Sequence, residues 1–112
     1  MKVAVIGSRT IHNADIGAFL PRETTLIISG GAKGVDSLTE SYAKLHGLPI
    51  LIFRPDYEKY GREAPLIRNR QIVDSADLVI ALWNGCSRGT MYTVRYAKEK
   101  GTPVRLFRAS FW

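Results

Sequence analysis

An α/β fold with a mainly parallel five-stranded sheet is predicted by three observations on this sequence. Short apolar, β-branched runs alternate with amphipathic stretches from one end to the other. The strand-like runs are apolar on both sides, as strands buried between two layers are. Small-residue turns follow three of them. Strands alternating with helices stack as a three-layer αβα sandwich, and right-handed crossovers leave few topologies.

Taken in order, Lys2 to Gly7 reads as a central parallel strand that ends in Gly7-Ser8-Arg9. Asn13 is placed to cap a short helix with Ile16, Phe19 and Leu20 on one face, stopped by Pro21. Thr25 to Ser29 is the second strand, and the glycine-rich turn Ile28-Ser-Gly-Gly-Ala-Lys-Gly-Val-Asp36 leaves it. Gly30 and Gly31 permit backbone angles and close approach that a Cβ blocks, and Gly34 lets the next helix start hard against the sheet. That helix carries Val35, Leu38, Tyr42 and Leu45 at helical spacing and closes at Gly47. Its free N–H groups point outward and suit an anion. Asp36, in the first turn, either bonds those N–H groups or faces a ligand hydroxyl.

Pro49 to Phe53 is predicted as a third buried strand, followed by a polar and aromatic loop, Arg54 to Gly61. A helix restarts at Ala64-Pro65, proline being tolerated in the first turn, with Leu66, Asn69, Val73 and Ala76 on one face. Asn69 is then a polar side chain on the inward stripe, either satisfied by backbone or touching a ligand at the sheet edge. Asp77 to Trp83 is the fourth strand, and Asn84 to Thr90 a second small-residue turn. Thr90, Val94 and Ala97 mark the last helical stripe, with Lys98 and Lys100 at the end the macrodipole favours. Thr102 to Phe107 is the fifth strand, leaving a tail, Arg108 to Trp112, that either packs or extends. The whole is a Rossmann-like sandwich in one domain, residues 1–112.

The length of 112 residues suits one core and not two. The hydrophobic fraction of 46% is that of an ordinary globular chain. No apolar run reaches membrane-spanning length and the N-terminal run reads as a strand, so a cytoplasmic protein without a membrane partner is expected. Cys86 is the one cysteine; with His12 and His46 it forms no zinc spacing, and it has no base nearby in sequence to make it a nucleophile. Neither a metal nor a cofactor is implied, and no pair of carboxylates takes obvious acid and base roles. The net charge of +6 and pI of about 9.8 favour anionic partners: nucleotides, phosphates or nucleic acid.

In such folds ligands bind beyond the carboxyl ends of the strands, where the strand order reverses. Three loops should share that rim: Gly7-Ser8-Arg9, Gly30-Gly31-Ala32 and Gly85 to Thr90. Arg9, Lys33, Arg54, Arg68, Arg70 and Arg88 fall on or near it, which focuses much of the excess charge. Trp83, Tyr57 or Tyr60 either stack on a base or pack the loops.

With these residues assembled, the chain resembles the SLOG superfamily of nucleotide-derivative-binding domains, and its YspA-type members in particular. The resemblance rests on Val5-Ile-Gly-Ser-Arg9, Ser29 to Asp36, Tyr60-Gly61, Arg68-Asn-Arg70, Ala76-Asp77 and Gly85-x-Ser-x-Gly-Thr90, in order over most of the chain. It implies a nucleotide-derived small molecule as ligand. Gly30, Gly31, Gly34, Gly89 and Thr90 would cradle phosphate, Arg9, Arg68, Arg70 and Arg88 would supply charge, and Asp36 or Asn69 would meet ribose or base. Gly7, Ser8, Ala32 and Ser87 complete the predicted site. On this view replacing Arg68 weakens binding without unfolding the chain.

Two relatives pull apart. The DNA-processing protein A family, which binds single-stranded DNA, has a similar Ser-Gly-Gly-Ala-x-Gly-x-Asp turn and an Arg-Asn-Arg helix start, here Ser29 to Asp36 and Arg68 to Arg70. The Lonely Guy family of phosphoribohydrolases shares an arginine nine residues before the strand aspartate, here Arg68 and Asp77. It ends its turn Gly-Thr-x-x-Glu with a catalytic glutamate, where this chain has Gly89-Thr90-Met91-Tyr92-Thr93. Threonine is no acid or base at neutral pH. Hydrolysis would need another carboxylate, Asp36 or Glu63. Met91, Tyr92 and Tyr96 either complete the core or form a patch for a homo-oligomer.

Overall fold

The computed structural model describes residues 1–108; the predicted tail beyond Arg108 lies outside the described residues. Five parallel strands, β1 (Lys2–Gly7), β2 (Leu26–Ser29), β3 (Ile50–Ile52), β4 (Leu78–Trp83) and β5 (Val104–Arg108), form one sheet in the order β3-β2-β1-β4-β5. The helices are α1 (Ile16–Phe19), α2 (Val35–His46), α3 (Tyr57–Tyr60), α4 (Ala64–Ser75) and α5 (Arg88–Lys100). The predicted fold class is borne out. None of these helices is long and apolar enough to cross a membrane.

Alternation along the central strands builds the layers. Val3 and Val5 of β1 with Leu78, Ile80 and Leu82 of β4 face one side, where Ile16, Val35 and Ala43 of α1 and α2 cover them. Ala4 and Ile6 with Val79 and Ala81 face the other, against Ile72 and Val73 of α4 and Val94 and Ala97 of α5. Period two sends successive side chains to opposite faces, so an unbroken apolar run is what a strand between two helical layers requires. Asp77 clamps β1 to β4 at their amino ends: its Oδ2 accepts from Lys2 N–H (2.8 Å) and its own N–H donates to the Lys2 carbonyl (2.8 Å).

Several elements differ from expectation. The cap of α1 is Asp15 rather than Asn13, and neither side chain caps it; α1 is a single turn held by burial of Ile16 and by Phe19 on Phe107, ring centroids 4.8 Å apart. Leu45 is 81% exposed, because the buried stripe of α2 runs through Val35, Thr39 and Ala43 and the last turn rotates Leu45 off it. β3 is an edge strand, half-exposed rather than buried, since nothing pairs beyond it. The loop after it contains α3, capped by Asp56 Oδ1 accepting from Lys59 N–H (3.1 Å), and a 3₁₀ turn, Gly61–Glu63.

The stripe of α4 is the correction with consequences. Ala64, Arg68, Ile72 and Val73 are its buried residues, while Leu66 is 38% exposed and Asn69 half-buried. Positions i, i+4 and i+8 face the sheet, and the middle one is an arginine.

Candidate ligand-binding site

A strand order of 3-2-1-4-5 reverses direction between β1 and β4, and a cavity of about 420 Å³ opens there beyond their carboxyl ends. Four chain segments line it: Gly7, Arg9 and Thr10 at and after the end of β1; Ala32 and Asp36 after β2; Arg68 and Asn69 on α4; Asn84, Cys86, Ser87, Gly89, Thr90 and Thr93 after β4. Of the predicted site residues it gathers Gly7, Arg9, Ala32, Asp36, Arg68, Asn69, Ser87, Gly89 and Thr90.

The others stand behind the wall or away from it. Ser8 is buried and joins three segments: its Oγ accepts from Asn84 N–H (3.0 Å) and its carbonyl from Ile11 N–H (3.4 Å) and Val35 N–H (3.3 Å). Gly34 sits against the backbone carbonyls of Ser8 and Arg9 with φ +73°. The Gly30 and Gly31 carbonyls accept from Arg68 Nη1 and Arg54 Nη1, so these glycines bind the protein's own arginines. Arg70 is exposed on α4 outside the cavity, and Arg88 lines a neighbouring one. The glycine turn also has fewer free donors than expected: Ala32 N–H is taken by Asp36 Oδ2 (3.1 Å) and Val35 N–H by Ser8. Gly89 N–H, in the cavity wall, donates to no described residue.

Asp36 and Arg68 are the buried charges of the site, 7% and 6% exposed. They flank Gly30: a Cβ there would lie 3.0 Å from Asp36 Oδ2 and 2.7 Å from Arg68 Nη1. The two charges are not in direct contact; among the described residues the one salt bridge is Lys100 to Asp74, on the surface. Burial pushes the Asp36 carboxyl up from its ordinary value, against the opposing pull of Ala32 N–H and the Arg68 charge. The Ser29 hydroxyl acts in the same direction as that pull, although it forms no well-aligned hydrogen bond. Burial lowers Arg68, and Asp36 works against it.

Arg68 is therefore a structural tie as well as a cavity wall. Nη1 reaches the Gly30 carbonyl and, at 3.5 Å, the Phe53 carbonyl, and Nε donates to Asn69 Oδ1 (2.9 Å). These bonds add a stability cost to its replacement, beyond the weaker binding expected from the sequence. Nη2 donates to no described residue.

The raised Asp36 carboxyl gives a pH prediction. A carboxyl whose folded pKa lies above its unfolded value costs stability as pH rises from about 3.8 towards the folded value, because the unfolded chain gives up the proton first. Below that window the cost is absent. Asp36→Asn should remove it: wild-type minus variant melting temperature should fall as pH rises through the window. A flat difference profile would mean that Asp36 does not titrate in this way.

Asn84, Thr10 and Thr93 belong to the cavity and were not predicted as site residues. Asn84 organises the loop after β4, its Oδ1 accepting from Cys86 N–H (2.8 Å) and Ser87 N–H (2.9 Å) and its Nδ2 donating to Thr10 Oγ1 (2.8 Å). The asparagine-glycine pair at a turn start was the available signal. Thr93, where the resemblance expected a glutamate, is buried and donates to the Gly89 carbonyl (2.9 Å). Trp83 packs the loop, its indole N–H held by the Ser87 carbonyl (3.1 Å). Met91, Tyr92 and Tyr96 are half-buried, with the Tyr96 hydroxyl on Asp74 Oδ1 (2.8 Å).

Fold and site together define a Rossmann-like α/β protein with an arginine-containing cavity at its topological switch point. No family model matches the chain, and no solved structure does. Among curated proteins, the Gene 61 protein of Mycobacterium phage D29 is 32% identical, the match covering 70% of this chain and 68% of that protein. The chain belongs to the family of that phage protein.

Proposed function

We propose that the chain binds a nucleotide or nucleotide-derived ligand in the cavity between the β1 and β4 ends, as a SLOG-type domain. The observation that carries this reading is the convergence of four separate segments on one cavity that brings together Arg68, the exposed Arg9 and the buried Asp36. Its volume of about 420 Å³ lies within the range of small-molecule sites. Arg9 and Arg68 Nη2 would meet phosphate, Gly89 N–H would add a backbone donor, and Asp36 or Asn69 would bond ribose or base.

Calorimetric titration with AMP tests it. Arg9 is exposed and makes no hydrogen bond to a described residue, so Arg9→Ala should keep the wild-type melting temperature and weaken AMP about tenfold, the worth of one charge-assisted hydrogen bond. Equal affinity for wild type and variant would remove Arg9 from the site; no heat at millimolar AMP would remove the reading.

Asp36 favours a hydrolytic second reading, since a carboxyl raised by burial inside a cavity is placed to give up a proton. Release of free base from AMP by wild type and not by Asp36→Asn would support it. Single-strand binding by the same rim would appear instead as affinity lost steeply with salt.

A further inference from the structure

A second cavity, of about 560 Å³, adjoins the first and shares four wall residues with it: Leu66, Cys86, Ser87 and Gly89. Its chemistry is different. Trp83, Tyr92, Arg88 and Arg95 line it, and no carboxylate does. Both arginines are exposed, and neither forms a salt bridge among the described residues. Two cations left without an anion beside two aromatic rings need a ligand that supplies negative charge and a planar face.

We propose that this second cavity is a subsite for a second nucleotide unit, so that the ligand spans both cavities as a dinucleotide. The inference rests on the mononucleotide reading above and extends it. Trp83 lines the second cavity with its N–H already donated to the Ser87 carbonyl (3.1 Å), so its contribution to a ligand would be stacking rather than a hydrogen bond. Ser87, on the partition between the cavities, is tied to the helix start, its Oγ accepting from Thr90 N–H (3.4 Å) and Thr90 Oγ1 (3.0 Å). Leu66 stands on that partition, 38% exposed although apolar, where a bridging ligand would cover it. Arg95, one helical turn and more from the partition, would take the second phosphate, and Trp83 or Tyr92 would stack the second base.

A base-plus-phosphate unit can be joined through a pyrophosphate or through a phosphodiester. The test therefore titrates the full chain with AMP, NAD, 5′-phosphorylated diadenylate and a ten-nucleotide oligoadenylate. At least one of the two dinucleotides should bind tenfold or more tighter than AMP. Gain by NAD alone would assign the pyrophosphate linkage, and gain by diadenylate alone the phosphodiester. Arg95→Ala should erase the gain while AMP affinity stays within twofold of wild type. Equal binding of AMP and both dinucleotides would overturn the subsite and leave the mononucleotide reading standing. A dinucleotide gain that survives in Arg95→Ala would overturn its location, and a decamer bound more than tenfold tighter than diadenylate would replace it with a strand-binding groove. No binding of any probe at millimolar concentration would overturn both readings.

Discussion

Gly34→Ala should cost about 4 kcal/mol of folding stability, from about 1–3 for a backbone conformation foreign to L side chains and a similar amount for overpacking. Gly34 holds φ +73° and ψ −124°, and an added Cβ would run into the backbone carbonyls of Ser8 and Arg9. Backbone atoms on a central-strand loop cannot swing aside as a flexible side chain can. In a domain of this size the loss corresponds to a melting temperature lower by roughly 20 °C. Gly47→Ala is the control. Its φ is +65° but nothing lies within 4 Å of the new Cβ, so it should cost only about 1 kcal/mol, the backbone part alone. Similar melting temperatures for the two variants would mean that the Gly34 contact relaxes freely.

The second large effect is expected at Arg68. Arg68→Ala should destabilise the fold by about 3–5 kcal/mol, because it removes one member of a buried charge arrangement and strips hydrogen bonds from interior carbonyls. The groups left behind are the Gly30 and Phe53 carbonyls and the Asp36 carboxylate, whose charge Arg68 offsets. Urea unfolding would read the stability. AMP titration well below the lowered melting temperature should show binding weaker by at least tenfold, the Nη2 edge having gone with the rest. Arg68→Lys should recover part of the stability and little of the affinity, since an ammonium keeps the charge but not the planar fork with its several fixed donors. Full recovery of both by lysine would show that charge alone matters at this position.

These two residues mark how far the chain could be read in advance. Gly34 was legible: a glycine at the end of a strand-to-helix turn signals a close approach, and the structure supplies only the identity of what it approaches. The sequence offers Arg68 as a charge for an anion, but its apolar spacing places the inward stripe of α4 on Leu66, Asn69, Val73 and Ala76, whereas Ala64, Arg68, Ile72 and Val73 are the buried residues. An arginine interrupts an apolar pattern, and periodicity assigns it to solvent unless the partners that pay its desolvation are known. Those partners, the Gly30 and Phe53 carbonyls, lie 38 and 15 positions away in the chain. The same limit hid Asn84, whose local turn was visible but whose reach to Thr10 and Ser8 was not.

By itself the sequence determined the number and order of the strands, the two-sided burial of β1, β2 and β4 and the positions of the glycine turns, because each follows from neighbouring residues through period and backbone geometry. Only the tertiary structure decided that β3 lies at an edge, that α4 buries a guanidinium and that the loops after β1, β2 and β4 enclose one cavity with a second beside it. Edge or centre depends on which strands pair. The burial of a charge depends on carbonyls delivered by other elements. Both are properties of segments brought together by folding, and no local pattern encodes them.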